Sequence, residues 1–149
     1  MPNELGQEIA EALGVLLRRT ARTQLYARLT EGLGEAVDEV TYPVLSGLAR
    51  TGPCSAADLA EEIGLDRSGV TRRATRLETA GLLRREPDPS DRRATLLTLT
   101  EAGQQAIGTT RRRLAAHIEG TLAGWPADEA QAFARGFRRF VDGGLLGRD

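Results

Sequence analysis

Apolar residues recur at helical spacing over most of this chain, and the places where that rhythm breaks divide it into elements. Leu5, Ile9, Leu13, Leu16 and Leu17 fall on one face of a helix predicted from about Glu4 to Thr30, and such a stripe needs a partner surface. Gly32 and Gly34 interrupt the pattern before a second helix, expected from about Asp38 to Arg50 with Val44, Leu45 and Leu48 on its apolar side. Pro43 lies inside that span, so the helix either starts later or kinks there. Thr51-Gly52-Pro53 ends it. Ser55 and Asp58 have the spacing of a capping box at the start of a short helix, and Gly64 separates that helix from another that Asp66 can cap.

Beyond Gly81 the period changes. Leu82 to Glu86 and Ala94 to Leu99 read as two β segments around a turn at Pro89, which makes a hairpin. Thr100 then caps a long helix with Ile107, Leu114, Ile118 and Leu122 on a single face. Trp125-Pro126 opens the last helix, since proline is tolerated in a first turn, and Phe133, Phe137 and Phe140 mark its expected buried side. Gly143 and Gly144 close the apolar pattern. Internal repeats, low-complexity tracts and interdomain linkers are absent from the sequence.

Two short helices joined at a glycine and followed by a hairpin form a winged helix-turn-helix pattern. The expected fold class is mainly α (α+β), with a two-stranded wing. The run Leu59-Ala60, Gly64-Leu65-Asp66-Arg67-Ser68, Arg76-Leu77-Glu78, Gly81-Leu82, Asp91 with Arg93, and Leu99-Thr100 with Gly103 resembles the MarR-type winged helix-turn-helix transcriptional regulators. The resemblance is tight over the middle third and extends to the flanks only in length and general pattern. It implies a dimeric repressor or activator whose affinity for a palindromic double-stranded DNA operator is lowered by a small-molecule effector or by oxidation. It also implies one domain over residues 1–149, with the winged lobe at about 38–100 and dimerisation helices at about 1–34 and 101–149.

Composition narrows the alternatives. A chain of 149 residues that is 40% hydrophobic can build one core, and at 4% aromatics that core must rest on Leu, Ile, Val and Ala. No apolar run approaches the roughly 20 residues of a membrane span. Met1-Pro2-Asn3-Glu4 lacks the basic and apolar regions of a secretory signal, so a cytoplasmic protein with no membrane partner is expected. One cysteine, Cys54, excludes an intramolecular disulfide framework and a thiolate metal cluster. Lying near a helix start, Cys54 reads either as an oxidisable thiol or as a small apolar residue leading into Ser55. With no Gly-rich phosphate loop, no metal-spaced His/Cys set and His117 as the one histidine, neither an enzyme nor a cofactor is expected.

The net charge of −1 hides an uneven distribution. From Asp66 to Arg93 there are eight arginines against five acids, an excess of +3, so the remainder carries −4. A basic face on an acidic body orients a protein on a polyanion. Helical spacing turns Val70, Ala74 and Leu77 toward the core and leaves Arg67, Ser68, Thr71, Arg72, Thr75 and Arg76 on the opposite or flanking sides as candidate DNA contacts. Among them Arg72 and Thr71 are the preferred base readers, with the other arginines gripping phosphates.

On the hairpin, Arg92 and Arg93 are further candidates, and Arg93 matches the position that in the resembled family enters the minor groove. Asp91 could aim the Arg93 guanidinium through a bidentate pair, or the two could simply stabilise the hairpin. Arg73, beside the apolar face of the same helix, needs an anionic or carbonyl partner. It reads as a structural salt bridge to a neighbouring helix or as a receptor for an acidic effector, with Tyr26, Tyr42 and His117 as further effector candidates. A winged-helix protein-interaction module without DNA binding is the alternative function, and the arginines on the recognition helix oppose it.

Overall fold

The computed structural model describes residues 2–145, so the expected helical arms at 1–34 and 101–149 run at their outer ends beyond what is described. Among the described residues there are seven helices and one two-stranded antiparallel sheet: α1 (Pro2–Leu16), α2 (Arg19–Thr30), α3 (Tyr42–Thr51), α4 (Ala56–Ile63), α5 (Arg67–Thr79), β1 (Leu83–Asp88), β2 (Asp91–Leu99), α6 (Glu101–Leu122) and α7 (Ala127–Asp142). Contacts divide the chain into two compact units, one up to Arg112 and one from Arg113 onward.

In the first unit, α3, α4 and α5 pack with the base of the hairpin around one core. Val44 and Leu45 of α3, Leu59 of α4, and Val70, Ala74 and Leu77 of α5 are all fully inaccessible. Leu83, Leu97, Leu99 and Ile107 close it from the hairpin and from α6. Each such leucine or valine contributes about 1.5–3 kcal/mol by leaving water, so this cluster is the principal source of the lobe's stability. The local signals around α4 operate as read. The Ser55 hydroxyl accepts the Asp58 N–H at 3.1 Å, and Gly64 ends α4 at φ +71, a left-handed value that suits glycine.

Several boundaries differ from the sequence reading. The long first helix is two helices, because Arg18 takes an extended conformation (φ −58, ψ 137) after α1 tightens through an Arg18 N–H to Val15 carbonyl bond of 3.4 Å. Apolar periodicity alone does not register a one-residue break. The second helix begins at Tyr42, which places Pro43 harmlessly in its first turn. Asp38 belongs to the preceding turn, where its carboxylate accepts the N–H groups of Val40 and Thr41 at 2.9 and 3.0 Å. Asp66 does occupy the position before α5, but its carboxylate takes the Ser68 hydroxyl and caps no helix N–H. The hairpin is longer than the β-rich segments, with Leu83 opposite Leu99 at its base and an irregularity at Pro87/Asp88 near its tip. A further antiparallel bridge joins Cys54 to Leu97, with bonds of 3.3 and 2.8 Å, so the residue ahead of α4 anchors β2.

In the second unit, the rings of Trp125, Phe133 and Phe137 form a ladder with centroid spacings of 5.4 and 5.7 Å. The expected burial of the α7 phenylalanines does not hold within the single chain: Phe133 and Phe137 are nearly half exposed, and no residue of α7 is buried. The same is true of α1, where Leu5 and Leu16 are about two-thirds exposed at 64% and 62%. An amphipathic face has its apolar side inward only if something covers it, and among the described residues neither helix is covered within its own unit.

The α6 N-terminus is tied directly to the hairpin base. The Thr100 hydroxyl donates to the Gly81 carbonyl at 2.6 Å and accepts the Gly103 N–H at 3.2 Å. A Cβ on Gly103 would lie 2.0 Å from the Leu82 carbonyl oxygen, a backbone atom with nowhere to go. Gly103→Ala is therefore expected to destabilise the lobe by about 3 kcal/mol, while Gly120→Ala, where a Cβ meets open space, costs nothing. Denaturant unfolding of the two variants checks this.

Candidate nucleic-acid interface

The recognition face is built on α5. With Val70, Ala74 and Leu77 buried, the helix presents Arg67, Ser68, Thr71, Arg72 and Thr75 on its exposed side. Arg92 and Arg93 lie exposed at the start of β2. Among the described residues, the guanidinium groups of Arg67, Arg92 and Arg93 have no hydrogen-bond or ion-pair partner. A groove of about 420 Å³ runs between the start of α4, α5 and the hairpin, with Ser55, Arg67, Thr71, Arg85, Asp91 and Arg93 along it. The structure thus brings the helix arginine Arg67 and the wing arginine Arg93 onto one concave surface. Among the described residues no group of three or more His, Cys, Asp or Glu side chains is placed to hold a metal ion.

Two candidate DNA contacts, Arg76 and Thr75, and the effector candidate Arg73 make bonds within the lobe. Arg76 points back across the lobe, with its Nη2 2.8 Å from the Asp38 carboxylate and 3.2 Å from the Glu35 carbonyl. Arg73 donates through Nε to the Val40 carbonyl at 3.0 Å and through Nη1 to the Gly69 carbonyl at 3.1 Å. Its partners within the protein are main-chain carbonyls rather than the carboxylate of a structural salt bridge. Gly69 makes the seat: a Cβ there would fall 2.9 Å from Arg73 Nη1 and 2.6 Å from an Asp66 carboxylate oxygen. The Thr75 hydroxyl donates to the Thr71 carbonyl at 2.9 Å and accepts Arg85 Nη2 at 3.1 Å. Thr71 donates its hydroxyl to the Arg67 carbonyl at 2.9 Å and keeps an acceptor free.

Asp91 also differs from expectation. Its carboxylate accepts the Arg93 backbone N–H at 3.0 Å, so it shapes the turn and does not grip the Arg93 guanidinium. Asp88 does the same for Ser90 at 2.9 Å, and those Ser90 backbone and hydroxyl bonds hold the Asp88 carboxyl below the usual carboxylate range. Of the effector candidates, Tyr26 and Tyr42 meet as a tilted ring pair with centroids 4.6 Å apart, joining α2 to the start of α3. His117 is exposed and belongs to the second unit. Cys54 touches the Thr51 hydroxyl at 3.5 Å and packs partly buried against the core.

The side chains that organise this face without being singled out from sequence are Asp38, Thr41, Glu78 and Arg85. Asp38 and Thr41 carry a local signal, because each bonds the other's backbone N–H, at 3.0 and 3.1 Å, in the manner of a reciprocal cap. Their link to Arg76 spans 38 residues and has no local signature.

A model described as the MarR family matches residues 37–94, which contain α3, α4, α5, β1 and the wing arginines Arg92 and Arg93. Over 140 residues the chain is 29% identical to the uncharacterized HTH-type transcriptional regulator YxaD of Bacillus subtilis, covering 91% of this chain and 98% of that one. Over its winged helix-turn-helix lobe the chain is similar to the MarR family of transcriptional regulators. Two solved structures agree with this chain in fold. RV1404 from Mycobacterium tuberculosis aligns with a TM-score of 0.74 at 22% identity, covering 98% of this chain and 94% of that one. The PcaV transcriptional regulator from Streptomyces coelicolor, solved in complex with its natural ligand, aligns with a TM-score of 0.55 at 28% identity, covering 95% and 92%.

The Asp38 carboxylate is the electrostatic hinge of the face. Partial burial alone would raise its pKa, but the Arg76 guanidinium and the N–H groups of Thr41 and Val40 outweigh that and hold it below the usual carboxylate range. A folded pKa lowered in this way adds stability that is complete above the unfolded value and is lost as the pH falls through the lowered folded one. Asp38→Asn is expected to cost about 1–2 kcal/mol at neutral pH, discounted for partial exposure. That deficit should shrink toward zero as the pH is taken down through the ordinary carboxylate range, near about 4, and below it. Unfolding of both proteins across pH 2–7 checks the sign.

Proposed function

We propose that this chain is a MarR-family regulator: a single-domain, cytoplasmic, sequence-specific double-stranded DNA-binding repressor that works as a homodimer and releases its palindromic operator on binding a small-molecule effector. The observation that carries the reading is a set of outward arginines without partners among the described residues: Arg67 on α5 and Arg93 on the wing line one groove, Arg92 lies exposed next to Arg93, and Arg72 is exposed on α5. A helix bearing arginines beside a hairpin bearing arginines fits a major groove and the adjacent minor groove together. Arg72 reads a base edge, Arg67 and Arg92 meet phosphates, Ser68 and Thr71 supply shorter polar contacts, and Arg93 enters the minor groove. Arg76 and Thr75, being tied inward, drop out of the reading set.

A second copy covers the apolar faces. α1 carries exposed Leu5, Ile9 and Leu16, and α7 carries exposed Phe133 and Phe137. Apolar area of this kind suits an isologous two-fold interface. The effector reading rests on the PcaV complex and on the Tyr26–Tyr42 pair, which gives an aromatic wall beside the α2–α3 segment.

Binding to genomic fragments across a salt series tests the whole reading. Arg72→Ala is expected to relax preference at one position per half-site, at about 1–3 kcal/mol per contact. Arg93→Ala is expected to weaken binding chiefly on operators with A·T-rich flanks and to lower the salt slope by about one unit per lost phosphate-like contact. Wild-type affinity and slope in both variants would move the interaction-module alternative to the front.

Sedimentation is expected to show a dimer at micromolar concentration and a monomer for Phe137→Glu, since a charge on the apolar face opposes its burial. A monomeric wild type would remove both the dimer and the palindrome.

A further inference from the structure

Arg85 was not among the residues expected to act at this surface, yet among the described residues it is the hairpin side chain that hydrogen-bonds the recognition helix along two helical turns. Its Nη1 meets Glu78 Oε1 at 2.7 Å and its own backbone N–H meets Glu78 Oε2 at 3.2 Å, so one residue occupies both oxygens of that carboxylate. Its Nη2 donates to the Thr75 hydroxyl at 3.1 Å and to the Thr71 carbonyl at 3.3 Å. Thr71, Thr75 and Glu78 stand at helical spacing on one side of α5, and the guanidinium fork spans them.

The strand position matters as much as the partners. Arg85 pairs with Leu97 in the sheet, and Leu97 is bonded on its other side to Cys54. At that level the hairpin is fixed from three directions, by Cys54, by the β ladder and by α5. Outward from it the hairpin continues through Glu86 opposite Leu96 and Pro87 opposite Thr95 to the tip. Arg93 lies four residues along β2 from Leu97, about 13 Å at the usual rise of a strand. A small rotation at the anchored level would displace Arg93 by several times as much as it moves the base.

We propose that Arg85 is a positioning residue: held by Glu78, it locks the wing to the recognition helix and so sets where Arg93 meets DNA relative to Arg72. This rests on the DNA-binding reading above. Although Arg85 also lines the groove, its charge is neutralised by Glu78 and its donors are turned onto α5, so it acts through the wing and not as a phosphate contact. A lysine there would keep the charge and lose the planar fork.

The test uses the full-length protein, duplex fragments enriched by wild-type binding, and E78Q, R85K and R85M alone and combined with R93A, after thermal melts confirm folding. E78Q is close to isosteric and keeps the proposal testable if R85M does not fold. Each single variant is expected to weaken binding about tenfold in the wild-type background and less than about twofold when Arg93 is already alanine, since coupled residues do not add. R85K should behave like R85M despite its charge. Amide exchange over residues 86–95 should rise about tenfold in E78Q while exchange within α5 stays as it was.

Tighter DNA binding and a steeper salt slope in E78Q would mean that Arg85, released from Glu78, grips phosphate, and would overturn the proposal. So would losses that multiply with that of R93A, or wing exchange that does not change. A wild type that binds no DNA would fail the DNA reading, whereas unchanged wing exchange fails the strut alone, so the two failures are distinguishable.

Discussion

The orientation of α5 within its lobe is the constraint on which the surface depends. A helix of 13 residues is marginal by itself in water, and its one apolar stripe, Val70, Ala74 and Leu77, is fully covered by α3, α4 and the hairpin base. Burial of that stripe holds the helix in the lobe, but the hydrophobic effect is non-directional and leaves rotation about the helix axis and sliding along it weakly opposed. Directional bonds settle both. Arg76 reaches Asp38 and Arg73 reaches the Val40 carbonyl on one flank, and Arg85 reaches back from β1 to Glu78 and Thr75 on the other. Guanidinium suits this work because its donors are fixed in a plane and its charge is permanent.

This division of labour changes how the local charge is understood. Of the eight arginines between Asp66 and Arg93, Arg73, Arg76 and Arg85 are struts, and Arg84 is paired with Glu86 along β1 at 3.3 Å. Arg67, Arg72, Arg92 and Arg93 remain on the outside. The acids of the same stretch are divided in the same manner. Glu78 and Glu86 neutralise arginines, whereas Asp66, Asp88 and Asp91 are engaged by Ser68, by Ser90 and by the Arg93 backbone. A sum over the stretch therefore says little about the field that meets a polyanion, which is set by the four outward cations and the turn carboxylates next to them.

The faces left open on α1 and α7 show a different economy. Trp125, Phe133 and Phe137 stack on one another and Leu5 and Leu16 stand in solvent, although the aromatic content is only 4%. The lobe needs no aromatic residue in its fully buried core, which is aliphatic throughout, and all three phenylalanines are spent on a helix without buried residues. Large flat rings concentrated on an uncovered face are the composition of an interface.

The sequence by itself determined the elements whose signals are local. Gly64 between two short amphipathic helices, Ser55 and Thr100 as caps, the Pro89 turn and the buried set Val70, Ala74 and Leu77 were all legible, because capping, turn geometry and helical period act over a few residues. It was silent on the break at Arg18, where a single extended residue leaves the apolar period almost undisturbed, and it placed Asp38 inside a helix where it is a turn ligand. Which arginines face outward was decided by tertiary structure alone. Arg72, Arg73 and Arg76 look alike in a recognition-helix sequence, and their different fates depend on whether a carboxylate or carbonyl from residues 35–40 lies within reach. Likewise the sequence marked Phe133 and Phe137 as apolar positions, but whether such a face is covered depends on packing partners far along the chain or on another chain, and periodicity within one helix carries no information about either.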